Sequence, residues 1–180
     1  PTISSIKYDQ AFFVKSTSTI RARIIEDNYL PGVIYSVSFV NGRKPNLPVV
    51  SLTTEDANLW DYNTGMYVMG PNAQSGPPNH GANFWNDWEY PFSFVYYNKN
   101  GIPQVTQDVG AKIFGGWSRA NDQKSFALFA RKEYGDNSLD YKFFANNELD
   151  GFKSLVLRNS GNDWRRTMFK DGFITTITDH

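Results

Sequence analysis

The stretch from Asp108 to Gly135 reads as strand, glycine-rich connection, strand, and it commits this part of the chain to a sheet. Gly115-Gly116 interrupts the first strand, where the backbone must bend or take positive φ. In the second strand Lys124, Phe126, Leu128 and Ala130 share one face, and Ser125, Ala127, Phe129 and Arg131 the other. A lysine therefore opens a mostly apolar face directly after a loop of backbone N–H donors. Loop amides and an ammonium both stabilise anionic oxygens, so the arrangement suits a phosphate. The plainer alternative is a strand-end lysine that lays its stem on apolar neighbours and keeps its charge in water. The loop has neither GxxxxGK[ST] nor GxGxxG, and its chemistry alone leaves both readings open.

Strand signals run through the rest of the chain. Before residue 41 they are short: Phe12–Val14, then Thr19–Ile25, then Val33–Val40, with turns at Asp27-Asn28 and Pro31-Gly32. In the second run Ile20, Ala22 and Ile24 oppose Arg21 and Arg23, a strand with one wet face. Residues 41–46 are polar with Gly and Pro and read as a linker. Leu47–Thr54 is the next strand, and Glu55–Trp60 a helical turn capped by Thr53 or Thr54. Met66–Met69 is short and strand-like, and Gly70–Asn83 an exposed, mobile loop. Pro91–Asn98 and Val105–Phe114 form antiparallel strands about a turn at Lys99-Asn100-Gly101. Phe152–Leu157 is nearly continuous apolar sequence and predicts a strand interior to a sheet. A helix follows, capped by Asn162, with Phe169, Phe173 and Ile177 on one stripe.

Composition narrows the functional classes. Lys and Arg number 18 and Asp and Glu 18, so no global field favours nucleic acid or an anionic membrane. The chain lacks cysteine and has two histidines, which removes disulfides and thiol chemistry and argues against a zinc site. No apolar run approaches the length of a transmembrane helix. The histidines lie near no nucleophile elbow, and no Ser-His-Asp constellation emerges. In Phe84–Glu89 aromatics and acids interleave: Trp85 and Trp88 suit stacking on a sugar or base, and Asp87 and Glu89 an acid–base pair. The structural alternative is that these aromatics fold the loop onto the core.

The core GG-x-SR-x(3)-QKS of Asp108–Gly135, with its RKEYG end, resembles the spore coat protein H-like (CotH) kinase family. Leu47–Thr54, Asn58–Asp61, Phe152–Asn159 and Gly161–Trp164 resemble further family motifs in the same order. The family pattern has a histidine before the paired glycines, where this chain has Phe114. Residues 1–40, particularly Ser18–Arg23 followed by Tyr29-Leu30-Pro31, resemble the C-terminal half of a chitobiase-type immunoglobulin-like module.

These resemblances imply an α+β chain, mostly antiparallel β: a partial sandwich-like unit over 1–40, the linker 41–46, and a CotH-like N-terminal region over 47–180 ending in the helix. The implied chemistry is ATP-dependent phosphoryl transfer to a protein hydroxyl, with ATP and Mg²⁺ as cofactors of a complete kinase and a protein as its substrate. Gly115, Gly116, Ser118, Arg119 and Lys124 are the implied nucleotide contacts. The family's acidic catalytic motifs lie beyond the matched region, so no catalytic or metal residue is assigned, and this fragment is expected to be inactive and to hold no cofactor tightly. The starting Pro1 and the end at Asp179-His180 read as trimmed boundaries. The leader implies a secreted or cell-surface location. The rival expectation is a non-catalytic surface, adhesion or glycan-associated module.

Overall fold

A computed structural model describes residues 1–41, 46–145 and 148–161. The strands are β1 (Ser18–Ala22), β2 (Tyr35–Phe39), β3 (Val49–Thr53), β4 (Tyr90–Tyr97), β5 (Pro103–Phe114), β6 (Ser125–Phe129), β7 (Leu139–Asp140), β8 (Gly151–Phe152) and β9 (Ser154–Leu157). The described residues contain one short α-helix, α1 (Asp56–Trp60), and 3-10 turns at Asn83–Trp85 and Trp117–Ala120. They are thus mostly antiparallel β with very little helix. The helix expected after Asn162 lies outside the described residues, as does most of the expected linker. Five strands are hydrogen-bonded in the order β3-β4-β5-β6-β9, and β1-β2 and β7-β8 form separate pairs.

The chain divides into two compact units, Pro1–Thr53 with Ser93–Gln107, and Thr54–Phe92 with the described residues from Asp108 onward. In the first, β1 and β2 pair antiparallel, Ser18 opposite Phe39 and Ala22 opposite Tyr35. Hydroxyls add rungs: Thr19 Oγ1 and Ser38 Oγ lie 2.8 Å apart, and Ser38 Oγ and Ser51 Oγ 2.6 Å. The Tyr97 hydroxyl accepts from the Ser38 N–H at 3.1 Å and donates to the Ser38 carbonyl at 3.2 Å. Phe12–Val14 forms no strand, because no described residue pairs with it. β1 stops at Ala22, short of Ile25, because the Ile24 carbonyl turns to accept from the Gly32 N–H at 2.9 Å.

In the second unit β5 and β6 are antiparallel, Gly110 opposite Phe129 and Phe114 opposite Ser125. β9 pairs with the other edge of β6, Phe126 opposite Leu157. Val109, Ala111 and Ile113 alternate onto the core with Met66, Phe84, Phe92, Leu128 and Leu139, all buried. Each large apolar side chain so buried contributes roughly 1.5–3 kcal/mol. A run of rings, Trp60 to Tyr67 at 5.2 Å, Tyr67 to Phe126 at 6.1 Å and Phe126 to Phe92 at 5.8 Å, joins α1 to the sheet.

Several local expectations differ. The helical turn is capped at Glu55, without a side-chain bond. Thr54 Oγ1 is occupied elsewhere, donating to the Pro91 carbonyl at 2.7 Å and accepting from Asn58 Nδ2 at 2.7 Å. Met66–Met69 is no strand: its amides turn back on α1, Met66 N–H to the Asn58 carbonyl and Tyr67 N–H to the Leu59 carbonyl. Among the described residues β9 is an edge strand of the five, and half-buried at most. A break at Lys153 separates it from β8, the Lys153 carbonyl accepting from the Ala130 N–H at 2.9 Å. The Gly70–Asn83 loop is tied down by side chains, Asn83 Nδ2 donating to the carbonyls of Tyr62 and Gly65, both at 3.1 Å.

Candidate functional site

β5 ends at Phe114 and the chain enters the connection to β6 through Gly115 at φ +117°, a conformation that a side chain rarely adopts. A Cβ there would also stand 2.5 Å from Ser118 Oγ. Gly116 is different, since a Cβ on it would meet open space. The 3-10 turn Trp117–Ala120 follows, with Arg119 N–H donating to the Gly116 carbonyl at 3.0 Å.

Arg119 curls its side chain back over the start of the loop. Its Nε donates to the Gly115 carbonyl at 2.6 Å and its Nη1 to the Phe84 carbonyl at 3.2 Å. The guanidinium also lies 5.8 Å from the Trp85 ring centroid. These bonds join the glycine loop to the 3-10 turn Asn83–Trp85.

Lys124 closes the loop at its other end. Its Nζ donates to the carbonyls of Arg119 at 2.8 Å and Asn121 at 2.9 Å, and its backbone N–H donates to the Tyr67 hydroxyl at 2.9 Å. The ammonium lies 4.1 Å from the Phe84 ring centroid and 5.1 Å from that of Tyr67. The residue is only 8% exposed, so the expectation of a charge kept in water does not hold. Burial pushes its pKa below the ordinary lysine value, and the charge of Asp122 partly opposes this. Two of the three ammonium N–H groups are engaged by neutral acceptors, which leaves one donor.

Of the five residues singled out from the sequence, Gly115, Arg119 and Lys124 are linked in series through two carbonyls. Ser118 packs against Gly115, and Gly116 stands apart. Asn159, Tyr67 and Phe84 complete the site and were not among the five. Asn159 approaches from the end of β9: its Nδ2 donates to the Gln123 carbonyl at 2.6 Å and the Ser118 carbonyl at 3.4 Å. It also exchanges two bonds with Ser125 Oγ, through its N–H at 2.9 Å and its Oδ1 at 3.0 Å. No spacing rule connects residues 34 to 41 positions apart; only the run Leu157-Arg158-Asn159 within a quoted motif hinted at it.

The acids of Phe84–Glu89 are bound to one cation of β5 and one just after β6. Asp87 Oδ1 is 2.8 Å from Lys112 Nζ, and that bond with the lysine charge lowers the Asp87 pKa. Glu89 is held by both ends of a guanidinium, Arg131 Nε at 3.0 Å and Nη2 at 3.1 Å. Gly110 makes room for it, since a Cβ there would fall 2.2 Å from Glu89 Oε1. Trp85 donates its Nε1–H to the Pro78 carbonyl at 2.9 Å and lies beside His80, ring centroids 5.0 Å apart. These side chains fold the loop rather than standing as free carboxylates or an open stacking platform. Among the described residues no helix is long and apolar enough to cross a membrane.

No curated protein and no solved structure matches the chain. Residues 111–180 match the CotH kinase protein family, and that region takes in Gly115, Gly116, Ser118, Arg119, Lys124 and Asn159. From Ala111 onward, the chain is similar to CotH kinase proteins.

Proposed function

We propose that this chain carries the N-terminal, nucleotide-covering part of a CotH-like atypical protein kinase, in which the loop Gly115–Lys124 meets the phosphates of ATP. The observation that carries the reading is the buried ammonium of Lys124 within the family-matching region. Among the described residues no carboxylate lies within ion-pair distance of it, and its direct contacts are neutral carbonyls and ring faces. A buried cation with one donor left is stabilised by an approaching anion. Arg119, held over Trp85 by the Gly115 and Phe84 carbonyls, adds a second positive charge beside the same loop.

When bound, ATP with Mg²⁺ would supply the phosphoryl group and the charge neutralisation that such transfers depend on. The described residues contain no group of three or more acidic or imidazole side chains placed to hold a metal ion. Their part is to position the phosphates. The acceptor would be a protein hydroxyl. Residues 1–40 we read as the C-terminal half of a chitobiase-type module, with a secreted or cell-surface location, and the β1–β2 pair supports that reading.

Calorimetric titration of ATP·Mg²⁺ into the full-length protein and its Lys124→Met and Arg119→Ala variants tests the assignment. Loss of one charge-assisted hydrogen bond, roughly 1–3 kcal/mol, should weaken affinity by about five- to 150-fold in the Lys124 variant. Equal affinities in folded variants, or no binding by the parent, would overturn it.

A further inference from the structure

We infer that Asn159 is a positioning residue, which sets the shape of the Gly115–Lys124 loop from outside it. Its relevance to nucleotide rests on the reading above; its action on the loop does not.

A connection of this kind exposes C=O groups that neither neighbouring strand can pair, and each needs a donor when solvent is excluded. Lys124 supplies donors for Arg119 and Asn121, and Arg119 for Gly115. The Asn159 amide donates to two more, the exposed Gln123 carbonyl and the Ser118 carbonyl, which also accepts from the Asn121 N–H at 3.2 Å. One planar NH₂ group thus bridges the middle of the loop and its last turn.

The same side chain is held from its other side. Ser125 Oγ accepts the Asn159 N–H and donates to Asn159 Oδ1, a reciprocal pair at the first residue of β6. Gly161 lets the chain pass close by, since a Cβ there would lie 2.7 Å from Ser118 Cβ and 2.9 Å from Asn159 Oδ1. The end of β9 is therefore a template against which the loop is shaped. Only an amide fits: a carboxylate would turn an acceptor toward the two carbonyls, and an apolar residue would donate to neither.

The experiment compares amide hydrogen exchange and ATP·Mg²⁺ affinity in the full-length protein and its Asn159→Asp and Ser125→Ala variants. The loop amides of Arg119 and Asn121 should exchange about tenfold faster or more in Asn159→Asp, the size of losing one or two hydrogen bonds. Amides in β6, such as those of Ala127 and Leu128, should keep their protection. Ser125→Ala should shift the loop in the same direction by a smaller factor, and serves should Asn159→Asp fail to fold. Nucleotide affinity should fall in step with loop opening. Unchanged loop exchange, or acceleration shared equally by β6, would overturn the positioning role. If the loop opens in the variants while the parent binds no nucleotide, Asn159 keeps its role and the nucleotide reading falls. If the parent binds and the variants alter neither exchange nor affinity, the nucleotide reading stands and Asn159 falls.

Discussion

The ammonium of Lys124 stands 4.1 Å from the ring centroid of Phe84, whose backbone carbonyl accepts a bond from Arg119. One residue therefore supports both cations of the loop, with its ring under one and its main chain under the other. Lys124→Ala removes the donors to the Arg119 and Asn121 carbonyls and leaves a gap beside Phe84 and Tyr67. The expected loss is about 2–4 kcal/mol, combining unpaired acceptors with a cavity. Lys124→Met fills the gap and should recover part of it. Denaturant unfolding of the three proteins measures both. A loss under half a kcal/mol in the alanine variant would mean the ammonium is solvated after all.

The lowered pKa of Lys124 gives stability a distinctive alkaline dependence. Below its folded value the lysine is charged in both states, and the cost of burying that charge is fully present. Between that value and the unfolded one, about 10.4, the unfolded chain binds more protons, so stability rises with pH. Tyr90 and Tyr134 act in the opposite sense. Burial raises their folded values, so their contribution is present below about pH 10 and is lost as pH climbs through the raised values. The wild type minus Lys124→Met difference cancels the tyrosines, and it should move in favour of the wild type as pH rises toward 10.4. A flat difference would remove the buried charge from the account.

Gly115 and Gly116 are adjacent and should not respond alike. Gly115→Ala forces a Cβ into φ +117° and against Ser118 Oγ, and should cost roughly 1–3 kcal/mol. Gly116→Ala places its methyl in open space and should cost less than Gly115→Ala. Thermal melts of the two variants decide it, and the reverse ranking would contradict the loop geometry.

Gly110→Ala tests the approach of Glu89 to the sheet. The added methyl would overlap Glu89 Oε1 and sit 2.5 Å from Tyr134 Cε2, so the carboxylate must leave its two-point contact with Arg131. We expect about 1–2 kcal/mol of destabilisation from overpacking. The background Glu89→Gln should reduce this effect, because the contact to be lost is already weaker. Additive losses in the double variant would show that the two sites are uncoupled.

Much of the sheet was legible because its strands carry local signals. β3, β4, β5 and β6 fall where alternation and turn residues put them, with ends shifted by a residue or two. Phe12–Val14 had the residue types of a strand and forms none, since a strand needs a partner as well as a propensity. The candidate site was legible only as composition. Gly115 was recognisable as a break, but the burial of Lys124 depends on where the Arg119 and Asn121 carbonyls point. Asn159 was hidden for the same reason in stronger form. Its partners Ser118, Gln123 and Ser125 are brought to it by the β6–β9 pairing, and strand order is the part of a β fold that residue types say least about.

The loop 70–83 is tied at its base and across its middle and exposed at Ser75-Gly76, where the Gly76 carbonyl accepts from the Asn79 N–H at 2.8 Å, and this bears on how its length can drift. Gln74 N–H reaches the His80 carbonyl at 2.8 Å, Trp85 holds Pro78, and a Cβ at Gly81 would meet the Asn72 carbonyl at 2.4 Å. Ser75 and Gly76 point into solvent, and Gly76 has nothing within 4 Å of where a Cβ would stand. Insertions between Ser75 and Gly76 should be tolerated, because closing a longer exposed loop costs little entropy. Insertions between Pro78 and Asn83 would pull Trp85 and Asn83 from their acceptors. Descendants of this sequence are therefore free to lengthen at one point of the loop, and a tag or a recognition peptide has a ready place there.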